Sequence, residues 1–152
     1  MEIERKFLIK YLPDNLDEYE FHMIEQGYLC SKAPVVRVRR QDDEYYMTYK
    51  GSGLMAREEY NLPLTKESYD HLLTKADGNI IKKKRYLIPI DGTKLTVELD
   101  VFDAPFAPLM LAEVEFESIE EANEFKMLDW FSQDVTNNPE YHNSNMSKKI
   151  LE

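Results

Sequence analysis

Charged residues recur two apart in one stretch after another, and apolar residues stand between them. Glu2, Glu4 and Lys6 face away from Ile3, Phe7 and Ile9. Arg37 and Arg39 oppose Val36 and Val38, and Thr48 and Lys50 oppose Met47 and Tyr49. Lys83 with Arg85, Glu98 with Asp100, and Glu113 with Glu115 repeat the arrangement, the last two pairs against Val97, Leu99, Val101, Val114 and Phe116. Glu59 lies opposite Tyr60 and Leu62. A period of two is the mark of a β-strand with two unlike faces. A chain built this way is confined to sheet architectures with one charged and one apolar surface.

Any one pair alone reads as the solvent face of a half-buried strand. The set reads differently. A solvated face would mix signs to gain cross-strand pairs, whereas each of these strands carries like charges. Like charges brought together need something of opposite sign between them. Carboxylates in oxygen-only clusters suit Mg²⁺ or Mn²⁺. Paired arginines grip phosphate oxygens through bidentate hydrogen bonds, and lysine acts as a point charge. Closed into a barrel, these strands give a lumen cationic in one zone and acidic in another. That is a place for a metal-bound polyanion, most simply a short chain of phosphates.

The remaining signals define the frame. Strands are expected over residues 2–9, 21–30, 35–40, 45–50, 56–63, 80–89, 94–102 and 109–117, with Gly27 a candidate bulge. Helices are expected over 65–76, 120–128 and, at the end of the chain, 146–151, with a polar, irregular stretch over 133–145. Hairpin turns fall at 41–44 and at Asp91-Gly92. Close strand spacing points to a sandwich or a barrel. At 152 residues without a linker or repeat, residues 1–152 read as one domain. Trp130 and Phe131 read as packing between helix and barrel, and Lys148 and Lys149 as solvated tail lysines.

Other classes are disfavoured. A net charge of −10 argues against nucleic-acid binding. No apolar run approaches the roughly 20 residues of a membrane span, and the charged start does not read as a signal peptide. The single cysteine, Cys30, fits a reducing compartment, so a cytoplasmic location is expected. The three histidines have no metal-ligand spacing. There is no glycine-rich phosphate loop and no nucleophile elbow. Homodimers are common, but no interface is legible.

Glu2-Ile3-Glu4-Arg5-Lys6 matches the ExExK signature of the CYTH domain, the triphosphate tunnel metalloenzymes. The later pairs fall in that family's order: Arg37-Val38-Arg39, Thr48-Tyr49-Lys50, the Glu59 strand, Lys83-Lys84-Arg85, Glu98-Leu99-Asp100 and Glu113-Val114-Glu115. The chain resembles the compact bacterial inorganic triphosphatases in particular, also through Gln26-Gly27-Tyr28-Leu29, Leu99-Asp100-Val101-Phe102 and Tyr141…Asn143-Ser144-Asn145. The resemblance implies a mainly β (α+β) fold, an eight-stranded antiparallel closed tunnel with a few helices packed outside. It implies a hydrolase that removes a phosphate from tripolyphosphate with Mg²⁺ or Mn²⁺. Relatives also resemble thiamine triphosphatases, nucleotide triphosphatases and adenylyl cyclases, and a non-catalytic polyphosphate binder is the alternative from another class.

Carried onto these residues, the resemblance implies roles. Lys6, Arg37, Arg39, Lys50, Lys83 and Arg85 would bind the triphosphate. Glu2, Glu4, Glu113 and Glu115 would hold a divalent ion. Glu59, Glu98 and Asp100, with Lys6, would form the catalytic group around the attacking water. One position departs from the pattern. The family usually carries a second acid two residues after Glu59, and here Asn61 offers a carbonyl without charge, leaving one or two ions open.

Overall fold

The alternating stretches form antiparallel strands, joined into one sheet. The computed structural model describes residues 1–149. Its strands are β1 (Glu2–Ile9), β2 (Phe21–Cys30), β3 (Val35–Gln41), β4 (Glu44–Lys50), β5 (Ala56–Arg57), β6 (Glu59–Pro63), β7 (Asp77–Pro89), β8 (Thr96–Phe102), β9 (Met110–Glu115) and β10 (Phe131–Asp134). Three short helices interrupt them: α1 (Lys66–Leu73), α2 (Ile119–Glu124) and α3 (Asn143–Met146).

The strand order is β10-β1-β9-β8-β7-β2-β3-β4-β6, and β5 returns to pair with β1. Because β5 runs into β6 across Glu58, the expected strand over 56–63 is present but shared. Its first part pairs Arg57 with Glu2, and its second pairs Glu59 with Lys50. Counting that broken strand once leaves nine strands rather than the expected eight: eight circle the molecule as its staves, β10 pairs with the Phe7–Ile9 part of β1, and the ring closes through the short β1–β5 pairing. Register keeps the charged parity on one side, with Glu4 opposite Glu115, Lys6 opposite Glu113, Glu98 opposite Glu113, and Arg85 opposite Asp100.

This parity turns the barrel inside out relative to a packed core. Phe7, Val97, Leu99, Ala112 and Val114 point outward and are buried under α2, β10 and the segment before β2. Burying side chains of this size contributes about 1.5–3 kcal/mol each, so the apolar hull is a principal source of the fold's stability. Phe131 stacks on Phe7 at 4.6 Å, and Trp130 meets Phe131 edge-on at 4.7 Å, the packing role expected of them. On the opposite side, α1 covers β2, β3 and β4. Thr65 caps α1 in a capping box with Ser68. Gly27 lets α1 approach, since a Cβ there would stand 2.8 Å from the Ala76 Cβ and 2.9 Å from Leu73.

Two elements differ from expectation. The helix expected over 120–128 stops at Glu124, because Phe125 turns extended and enters the hull. The stretch expected to be irregular holds β10, a 3-10 turn at Pro139–Tyr141, and α3. Helix thus replaces the expected coil at 143–146 and ends at Met146, so the closing helix expected over 146–151 is not formed at 147–149, and its last two residues lie outside the described residues. This segment closes one end of the barrel. Val135 and Met146 pack on inward-facing Leu111, Phe102 and Ile81. Its backbone is tied to β1 by Val135 N–H to Lys6 C=O at 2.8 Å, and by Lys6 N–H to Thr136 Oγ1 at 3.0 Å.

Candidate active site

The staves enclose a cavity of about 360 Å³, open at one end and closed by the 135–147 segment at the other. Lys6, Arg37, Arg39, Lys50, Lys83 and Arg85 line it, together with Glu2, Glu4, Glu59, Glu98, Glu113 and Glu115. Twelve charged side chains picked out by parity alone thus share one space. Asp100 does not line it. It is fully buried behind the wall, where it accepts from Arg85 Nε at 2.7 Å and Nη2 at 2.9 Å and pairs with Lys83 Nζ at 2.7 Å. There it holds two cations, Arg85 and Lys83.

Around the rest of the wall, cations and carboxylates meet in pairs, and two arginines are held by neutral partners. Lys50 Nζ lies 3.1 Å from Glu2 and 3.4 Å from Glu59. Lys6 Nζ lies 3.3 Å from Glu113, and Arg85 reaches Glu98 at 2.8 Å. Arg37 Nη2 donates to Thr48 Oγ1 at 3.0 Å, and Arg39 Nε donates to Gln26 Oε1 at 2.8 Å. Thr48 donates to Asn61 Oδ1 at 2.6 Å, and Asn61 Nδ2 donates to Glu59 at 3.1 Å. The departure at Asn61 therefore fastens Glu59 in place of a second charge.

Burial sets the titration of these groups. It pushes Glu2 up to about 7 and, with the charges of Glu113 and Glu2, Glu4 up to about 8. Burial also opposes ionisation of Glu59, but hydrogen bonding with Glu2 and the charge of Lys50 outweigh it and hold Glu59 at about 2. Burial, Arg85 and Arg39 bring Lys83 down to about 7 against the pull of Asp100. Burial resists a negative Glu113 too, yet Lys6, Arg85 and Lys83 keep it well below the usual carboxylate range.

The donor chemistry suits a hard divalent cation. Among the described residues, no three His, Cys, Asp or Glu side chains converge on a metal-sized point. Glu2 and Glu113 are instead held by Lys50 and Lys6. Glu4 is buried without an ion-pair partner among the described residues. Crowded carboxylates that burial forces toward protonation are relieved by an added cation with oxygen affinity.

Sequence reasoning missed several wall residues. Arg57 sits inward on β5, with Nε 3.6 Å from Glu2 Oε1. Its spacing of two from Glu59 was the available signal. Gln26 and Asn143 are neutral, and the sequence marks them only as parts of the stretches shared with the compact bacterial inorganic triphosphatases, without a role. Asn143 Oδ1 accepts from Lys83 Nζ at 2.9 Å and from Gln26 Nε2 at 3.2 Å, so the closing segment reaches into the cation wall.

Comparison with known proteins agrees with this architecture. The CYTH domain family matches residues 1–148. An inorganic triphosphatase of Nitrosomonas europaea is 37% identical over 98% of this chain and 98% of its own length. One from Acetivibrio thermocellus is 34% identical over 97% of this chain and 93% of its own. A crystal structure of an inorganic triphosphatase superposes with a TM-score of 0.74 at 34% identity, covering 99% of this chain and 96% of that one. With its charged tunnel, its ordered pairs and these matches along nearly its whole length, the chain belongs to the CYTH domain family.

Proposed function

We propose that this chain hydrolyses inorganic tripolyphosphate with the help of Mg²⁺ or Mn²⁺. The observation that carries the reading is the facing of a cationic wall and an acidic wall across one cavity closed at its far end. The names of the full-length relatives point the same way. No helix among the described residues is long and apolar enough to cross a membrane, and we place the protein in the cytoplasm on its lone cysteine.

Lys6, Arg37, Arg39, Lys50, Lys83 and Arg85 bind and orient the triphosphate oxygens. Glu2, Glu4, Glu113 and Glu115 would hold the metal ion, which when bound neutralises charge on those oxygens as a Lewis acid. Glu59 and Glu98 at the mouth orient the attacking water. Held at about 2, Glu59 stays ionised at neutral pH, so it aligns the water rather than storing its proton. Asp100 acts one layer back by fixing Arg85 and Lys83. The water oxygen bonds to the terminal phosphorus as the bridging P–O bond breaks. Orthophosphate and diphosphate leave, and the water's protons pass to the products and solvent. Positioning and charge neutralisation carry the rate, with no phosphorylated residue.

Two variants test the assignment. Arg39→Ala should raise KM for tripolyphosphate, and Glu4→Gln should raise the Mg²⁺ concentration needed for half-maximal turnover. Unchanged turnover in the first, or unchanged metal dependence in the second, overturns the corresponding role.

A further inference from the structure

A second cavity of about 290 Å³ lies behind the closed end of the tunnel. Among the described residues its walls carry no Asp or Glu, although the chain as a whole has 29 acids against 19 bases. Lys32, Arg57 and Lys148 face it, with the hydroxyls of Ser31, Ser52 and Ser144. Lys32 and Lys148 form no ion pair among the described residues. An acid-free concavity with three cations is an unusual feature on a surface this acidic, and its chemistry is that of an anion site.

The cavity backs directly onto the tunnel. Arg57 and Ser144 line both spaces. The Arg57 side chain is 12% exposed, and its Nε is buried without a hydrogen bond, with the Glu2 carboxylate 3.6 Å away. Among the described residues only one other buried side-chain nitrogen or oxygen lacks a partner, Nε of Arg37 inside the tunnel. A buried donor left unsatisfied costs free energy, and an anion between the two spaces would satisfy this one.

We propose that this rear cavity is an orthophosphate site, with Arg57 as the cation shared between it and the tunnel. The proposal rests on the tripolyphosphate reading and adds to it. The tunnel is closed at the rear, so product at the inner end is trapped behind whatever fills the mouth. The rear site gives that orthophosphate a cationic place to go, and its exposed lysines face solvent.

The test keeps the tunnel occupied. Orthophosphate is titrated by calorimetry into the full chain saturated with Mg²⁺ and a non-hydrolysable imido analogue of tripolyphosphate. The expected result is one further orthophosphate per chain, weakened at least about tenfold in Lys32→Glu/Lys148→Glu. That variant should still bind the imido analogue, and Lys32→Gln/Lys148→Gln should be intermediate. Absence of the extra orthophosphate in wild type, or its persistence in a folded double variant, overturns the rear site. If the analogue does not bind at all, the tripolyphosphate reading fails instead. The same titration of wild type against the double variant without analogue then still decides the rear site.

Discussion

Asp100→Asn removes one oxygen's charge and leaves two buried cations facing a neutral amide. Asp100 is fully buried, and it holds Arg85 by two contacts of 2.7 and 2.9 Å and Lys83 by one of 2.7 Å. Breaking a buried ion pair from one side costs about 3–5 kcal/mol, because the remaining charge stays desolvated. For a domain of this size about 1 kcal/mol moves the midpoint by 2–4 °C, so the variant should melt about 6–20 °C lower. Lys83 adds a pH signature. It sits at about 7 with Asp100 present, and the variant drives it lower. A base depressed in the folded state penalises the fold below its folded value, and the penalty disappears as pH approaches the ordinary lysine value of 10.5. The deficit should therefore be larger at pH 5 than at pH 9. Urea unfolding at both pH values measures it, with Asp70→Asn as control, since its 2.8 Å pair with Lys66 is solvent-exposed and should leave the midpoint in place. A loss under about 1 kcal/mol, the size of a surface pair, would refute the support role assigned to Asp100.

Other expectations follow from the same geometry. Glu2 and Glu4 stand at about 7 and 8 in the fold against an ordinary 4.5, so their contribution is full below 4.5 and is lost as pH rises through 7–8. Without metal, the melting temperature should fall between pH 5 and 8, and Mg²⁺ should flatten the fall; a level metal-free profile would contradict the crowding of the carboxylates. Gly27→Ala should cost about 1–3 kcal/mol by overpacking while sparing KM for tripolyphosphate, since its Cβ would press on Ala76 and Leu73 outside the tunnel. Equal loss of affinity and stability would place α1 in the site. Gln26→Ala frees Arg39 Nε and should raise KM for tripolyphosphate with a smaller change in kcat, read from steady-state kinetics. A change confined to kcat would remove Gln26 from substrate positioning.

The barrel was legible because strand parity is local information. Glu2-Glu4-Lys6 or Glu113-Val114-Glu115 shows its two faces without knowledge of any partner strand. The order and the inward direction of those faces then follow from closure, since the apolar parity has cover outside in α2, β10 and α1. What stayed hidden depends on distant neighbours. Asp100 has the same parity as Glu98, yet its full burial against Lys83 and Arg85 appears only in three dimensions. The split of the 56–63 strand at Glu58 follows from its pairing with β1 on one side and β4 on the other, which no single stave displays. Asn143 comes from a stretch with no periodicity and becomes a wall residue only because Val135 and Met146 anchor the segment in the closed end. Arg57 was within reach by its spacing from Glu59, but its buried Nε, close to Glu2 yet without a hydrogen bond, appears only in three dimensions.

Orthophosphate release from tripolyphosphate, diphosphate, ATP and thiamine triphosphate, each with Mg²⁺, with Mn²⁺ and with EDTA, tests the central claim most directly. The tunnel account predicts fast release from tripolyphosphate that EDTA abolishes, and weak release from ATP. Silence on all four substrates from folded protein would contradict it and leave a polyphosphate binder without turnover.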